Sequence, residues 1–128
     1  MKARKAFSSV STPPPAGTYS IAIQARGLVF LSGQTPRDRD NQRRGDQSFD
    51  VQARIALDNL EAAANAAGLS LKDAVKVGVF LKNPLDAKAF DVIYADYVSD
   101  PPPARTLTQS NFLDFDIEVD AVLLARDD

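Results

Sequence analysis

Apolar positions near the start of the chain recur in steps of two. Residues 19–25 alternate, with Tyr19, Ile21, Ile23 and Ala25 on one side and Ser20, Ala22 and Gln24 on the other, which is the period of a strand. Arg26-Gly27 is a turn signal. Leu28-Val-Phe-Leu31 is the continuous apolar run of a strand buried on both faces. The two runs predict a hairpin that stops at Ser32-Gly33-Gln34. A weaker strand is predicted near residues 6–10, ahead of Pro13-Pro14-Pro15, which cannot continue a ladder.

The step then changes to three and four. Phe49, Ala53, Ala56, Leu57, Leu60, Ala63, Ala64 and Ala67 predict a helix over residues 48–67, with a narrow alanine-rich stripe suited to close approach to a sheet. Gly68 stands where a left-handed residue ends such a helix. Ser70 and Asp73 predict one capped turn. Residues 75–81 alternate again, Val75, Val77, Val79 and Leu81 against Lys76, Gly78 and Phe80. Asn83-Pro84-Leu85-Asp86 opens a second helix, with Asp86 as the expected cap. Its face of Phe90, Ile93, Tyr94 and Tyr97 is expected in the core. Pro101-Pro102-Pro103 ends it, and strands follow at 105–110 and 117–125.

The predicted order is β-β-β-α-β-α-β-β: an α+β fold, one domain over 1–128, with two helices packed on one face of a mixed β-sheet. In the last strand Ile117, Val119, Ala121 and Leu123 face one way and Glu118, Asp120, Val122 and Leu124 the other. If the first set lies under the helices, the second leaves a mixed apolar face open. Such a face predicts an oligomer with carboxylates near the joint. Residues 35–47 hold Arg37, Arg39, Arg43 and Arg44 among aspartates and are expected to form a mobile, solvated loop.

Composition narrows the chemistry. A chain of 128 residues buries roughly two thirds of its unfolded surface, enough for a core without staples. Cysteine and histidine are both absent. There is no thiolate nucleophile, no Ser-His-Asp triad and no Cys or His metal site; with Gly27 and Gly33 as isolated turn glycines and no Gly-rich phosphate loop, no metal or other cofactor is expected. Net charge is −2, which argues against a nucleic-acid partner. The basic start, Met1 to Phe7, has no apolar stretch after it and fits an edge strand better than a signal peptide or a short transit-like leader. No run is long enough to span a membrane, and the expected compartment is the cytoplasm.

What remains is arginine, carboxylates, tyrosine, serine and backbone. Arg105 follows three prolines and an alanine, a position suited to a bidentate clamp on a carboxylate; a surface arginine opening an edge strand fits the same residues. Glu118 sits between apolar neighbours, which suggests partial burial, a raised pKa and a proton-handling role; a carboxylate paired across an interface is the alternative.

The segments Gly17-Thr-Tyr-Ser20, Gly27-Leu-Val-Phe-Leu-Ser-Gly-Gln34, Gln52 with Ala56-Leu-Asp-Asn-Leu60, Ala67-Gly-Leu-Ser70, Pro103-Ala-Arg-Thr106 and Ile117-Glu-Val-Asp-Ala-Val122 resemble the RidA/YjgF family of enamine/imine deaminases. The resemblance covers nearly the whole chain. It implies a chorismate-mutase-like sheet closing as a homotrimer, with sites between subunits and a small imino or keto acid as ligand. It implies hydrolysis of a reactive 2-imino acid to the 2-keto acid and ammonia. Arg105 matches the family's carboxylate-binding arginine and Glu118 its water-handling glutamate; Tyr19, Ser32 and Gly33 match pocket-lining positions. Two pocket positions depart from the pattern: Leu107 stands where cysteine is frequent, and Asp91 where asparagine is. An aspartate near the cleft would repel a substrate carboxylate unless paired. The alternatives are a non-catalytic module that binds a small carboxylic acid and, more remotely, an RNA-cleaving enzyme.

Overall fold

The computed structural model describes residues 3–126; Met1 and Lys2 of the basic start, with Asp127 and Asp128, lie outside the described residues. The elements run β1 (Lys5–Phe7), β2 (Ala22–Ala25), β3 (Leu28–Gln34), α1 (Phe49–Ala66), β4 (Ala74–Leu81), α2 (Ala87–Tyr94), β5 (Ala104–Gln109) and β6 (Ile117–Leu124). The strands form one sheet in the order β1-β2-β3-β6-β4-β5. All neighbours are antiparallel except β4 and β5, whose crossover carries α2. This is the expected α+β order.

Local chemistry explains the boundaries. Arg26 and Gly27 both have positive φ, 54° and 78°, the pattern a two-residue hairpin turn requires. The Ser48 hydroxyl accepts from the Val51 N–H and starts α1; Gly68, at φ 75°, ends it. Ser70 and Asp73 form a reciprocal capping box on a single 3-10 turn, Leu71–Asp73. The helix α1 lies across β3 and β6, and α2 packs on α1. Beneath them Val29, Leu31, Val77, Val79, Leu81, Ile117, Val119, Ala121 and Leu123 are buried with Phe90, Ile93 and Tyr94. Burial of each full-sized aliphatic chain contributes on the order of 1.5–3 kcal/mol.

Five expectations are corrected. The first strand is Lys5–Phe7, not 6–10. The second begins at Ala22: residues 19–21 alternate in sequence but Ile21 and Ala22 are both buried, because the chain bends there. The third is buried on one face only, since Phe30 is 45% exposed. Val75 falls at a register shift between β4 and β6 and is exposed rather than in line with Val77. The cap of the second helical segment is Asn83, whose side chain accepts from Leu85 N–H; Asp86 makes no side-chain cap bond.

The far sheet face carries Phe30, Phe80, Val122 and Leu124 around Glu118 and Asp120, so it is the mixed apolar face the alternation predicts. No helix of the described residues is long and apolar enough to cross a membrane.

Candidate active site

Glu118 is the centre of a recess built by one irregularity in the sheet. On β4 it pairs in register with Phe80. On the β3 side the register slips, with Leu31 opposite Ala121 and Gln34 opposite Val119. Ser32 and Gly33 therefore share the space opposite Asp120, a β-bulge. Glycine leaves the Glu118 carboxylate its place: a Cβ at position 33 would meet it and displace the side chain. The Ser32 hydroxyl donates to the Ser20 carbonyl (2.5 Å), and the Tyr19 hydroxyl accepts from the Ala16 N–H (3.0 Å). These bonds fold residues 16–20 over the end of β3. The resulting cavity is about 420 Å³, lined by Tyr19, Ser32, Gly33, Arg37, Arg43 and Glu118.

Burial pushes the Glu118 carboxyl above its usual range; the nearby Asp120 charge adds to this, and Arg43 partly opposes it. Asp120 is raised as well, by burial, against a hydrogen bond from the Gly78 backbone and the charge of Lys76. Gly78 likewise leaves room for the Asp120 carboxylate, which a Cβ there would meet. The pair can thus exchange a proton closer to neutrality than exposed carboxylates do.

Arg105 is elsewhere. Its Nη1 donates to Asp91 Oδ1 (2.8 Å), and its guanidinium lies over the rings of Tyr94 (4.9 Å) and Phe90 (5.7 Å). All three partners belong to α2, so the arginine is on the helix side of the sheet while Glu118 is on the open side. It lines a separate cavity with Asp91, Tyr94 and Pro103. Leu107, two residues on, packs against the core and lines neither cavity. Of the seven candidate residues, one chain brings together Tyr19, Ser32, Gly33 and Glu118, and separately Arg105 and Asp91.

The family model described as Endoribonuclease L-PSP matches residues 9–126. The chain belongs to the RidA/YjgF family. A RutC family protein of Pyrococcus horikoshii is 36% identical over 114 residues, covering 88% of this chain and 90% of its own. A protein of Dermatophagoides farinae named 2-iminobutanoate/2-iminopropanoate deaminase is 30% identical over 106 residues, 83% of each chain. The crystal structure of RidA from an Antarctic Psychrobacter superposes with a TM-score of 0.87 at 30% identity, covering 94% of this chain and 98% of that one.

Within this RidA-family chain, two site residues escaped sequence reasoning. Residues 35–47 are tied together by hydrogen bonds, with residues 39–43 exposed as expected. The Asp38 carboxylate accepts from the Asp40 and Gln42 N–H groups, and Arg37 and Arg43 form an antiparallel bridge. Arg37 is only 9% exposed, and both arginines line the Glu118 recess. The available signal was Asp38-Arg-Asp-Asn41, a turn that carries its flanking arginines to opposite strands of a small hairpin. The start of β6 is fixed by Gln52, fully buried on α1: its amide donates to Asp116 Oδ2 (3.0 Å) and accepts from Asp116 N–H (2.9 Å). That bond sets where Glu118 falls, two residues later. Among the described residues no group of three or more carboxylates is placed to hold a metal ion.

Proposed function

We propose that this RidA-family protein hydrolyses a reactive 2-imino or enamine carboxylic acid to the 2-keto acid and ammonia, as a homotrimer with its sites between subunits. The observation that carries the reading is the half-buried Glu118 carboxyl, raised in pKa, at the floor of a recess opened by the Ser32-Gly33 bulge. The name of the Dermatophagoides relative supports the reaction class.

The imine carbon is already electrophilic, so the protein needs placement and proton handling rather than a metal or organic cofactor. Water adds to that carbon while Glu118 takes its proton. The same carboxyl then protonates the amino nitrogen of the tetrahedral adduct. The C–N bond breaks, ammonia leaves, and the hydroxyl loses its proton to become the keto oxygen. A positioned acid–base group of this kind contributes about 10²–10⁴ in rate. An iminium also brings positive charge toward the Glu118 carboxyl at the floor of the recess, which fits the imine.

Arg105 is the residue proposed to hold the substrate carboxylate. Since it lies on the helix side of its own sheet, the reading needs the arginine of a neighbouring subunit to meet Glu118. The open face around Phe30 and Leu124 is where that neighbour would dock. Tyr19, Ser32 and Gly33 shape the pocket; Leu107 would act through packing behind Arg105.

The test is a coupled assay in which imines are generated from several amino acids, with Glu118→Gln beside the wild type. Glutamine keeps the shape but exchanges no proton. The expected result is a fall in kcat of about a hundredfold or more with carboxylate binding retained. Loss of binding with kcat intact would make Glu118 structural, and wild-type protein that binds keto acids but turns over no imine would be a binding module.

A further inference from the structure

The Glu118 recess holds a feature that hydrolysis of a small imino acid does not use. Arg37 and Arg43 face each other across an isolated antiparallel bridge, and both line the cavity. Like charges held directly opposite destabilise a strand pair, so the arrangement is costly as it stands. Arg37 is nine-tenths buried, and a charge removed from water costs more than one left in it. Its guanidinium donates from Nη1 to Asn41 Oδ1 and from Nη2 to the Pro14 carbonyl, each at 2.8 Å. Those bonds use two of five N–H donors, and no carboxylate among the described residues pairs with it.

Arg43 is held more loosely. Its guanidinium stacks on the Phe115 ring at 4.6 Å and meets Asp114 at 3.7 Å, with both charged side chains well exposed. An exposed pair at that distance is weak and exchanges readily for a better anion. The loop is also held firmly in place: a Cβ at Gly45 would overlap the Asp114 carbonyl, so the hairpin is pressed against the segment that leads into β6. Two guanidinium groups, one buried and fixed by hydrogen bonds and one resting on a ring with a weak carboxylate partner, thus border the same cavity as Glu118.

We infer that Arg37 and Arg43 form a second anion-binding position in the recess, which takes the distal acidic group of a substrate carrying two carboxylates. The inference rests on the imine-hydrolysis reading for the other half of that substrate. The iminium lies against Glu118, the carboxylate beside it goes to Arg105 of a neighbouring subunit, and the side-chain carboxylate reaches the Arg37–Arg43 pair. The cavity, about 420 Å³, leaves room for the longer acid.

The test is calorimetric titration of the full-length protein with 2-oxoglutarate and with 2-oxobutanoate, which differ chiefly in the distal carboxylate. Wild type should bind 2-oxoglutarate tighter by about tenfold or more, the worth of one hydrogen bond to a charged group. Arg43→Gln should bring the two affinities to within about threefold, and Arg43→Lys, which keeps the charge without the fork, should fall between. Arg39→Gln, an exposed arginine of the same loop outside the cavity, should keep the wild-type ratio. Equal affinities in wild type would overturn the inference, as would a ratio that survives both Arg43 variants. Equal loss of both ligands in Arg43→Gln would also overturn it, because the arginine would then only shape the recess. The imine assay run alongside separates the two ideas: no turnover with the expected affinity ratio would remove hydrolysis and leave the anion position standing.

Discussion

Asp91 answers a question that the sequence raises against itself. A carboxylate near a carboxylate-binding arginine should repel substrate, yet here it is bonded to that arginine at 2.8 Å. On the proposed reading, Asp91 is an internal competitor that the substrate carboxylate must displace. The pair is partly exposed, with Asp91 65% open, and such pairs contribute about 0.2–1 kcal/mol. Asp91→Asn should accordingly lower KM by no more than about fivefold, with kcat little changed. Steady-state kinetics decides it; a rise in KM would mean that Asp91 orients Arg105 rather than competing for it. The second prediction at this scale concerns pH. Burial first, and the Asp120 charge second, hold the Glu118 carboxyl above its ordinary value. If the ionised form is the base, kcat/KM rises with pH along a limb above the ordinary glutamate range, set by the two carboxyls as a coupled pair. Removing the Asp120 charge makes Glu118 easier to ionise, so Asp120→Asn should move that limb to lower pH. A limb that stays in place or moves upward would detach it from this pair.

Elements show which parts of the molecule could be read from the chain and why. The helix α1 was legible to within a residue at each end, because its stripe is long and its Ser48 and Gly68 ends carry their own chemistry. Strand periodicity misled where tertiary contacts overrule it. Tyr19 and Ile21 continue the alternation of β2 through a bend tied down by side-chain and backbone bonds, and Val75 sits at a register shift that no local pattern encodes. The resemblance groups Glu118, Ser32 and Gly33, which line one recess; the bulge that joins them is not legible, since it depends on how β3 and β6 pair over about ninety residues of sequence. Arg37 reads as solvated from the sequence because arginine usually is, but it is buried; Arg43 is exposed as expected, and only its place at the recess is not legible. Gln52 links the element scale to the site. Its buried amide joins α1 to Asp116 at the start of β6 and also donates to the Gln47 carbonyl (2.9 Å). Gln52→Ala leaves these groups without partners, each at about 1–3 kcal/mol, so a total loss on the order of 3 kcal/mol is expected in urea unfolding. Activity should fall as well, since Glu118 loses its anchor. Wild-type stability in this variant would show that β6 needs no such brace.

At the scale of the whole molecule, one chain separates the two residues assigned to the reaction. Arg105 lies among the aromatic side chains of α2 and Glu118 on the open sheet face, so under the proposed function a single subunit would carry half a site on each side of its sheet. A head-to-tail interface that closes into a ring joins one half to the other at every contact. Subunit exchange tests this directly. Arg105→Ala and Glu118→Gln are each expected to be nearly inactive alone. Unfolded together in equal amounts and refolded, they assort at random, and about one interface in four pairs an intact arginine with an intact glutamate. The mixture should therefore recover imine-hydrolysing activity to about one quarter of wild type, in particles that sediment as trimers. Activity no greater than the sum of the two parents, in mixed particles of that size, would contradict a site shared between subunits.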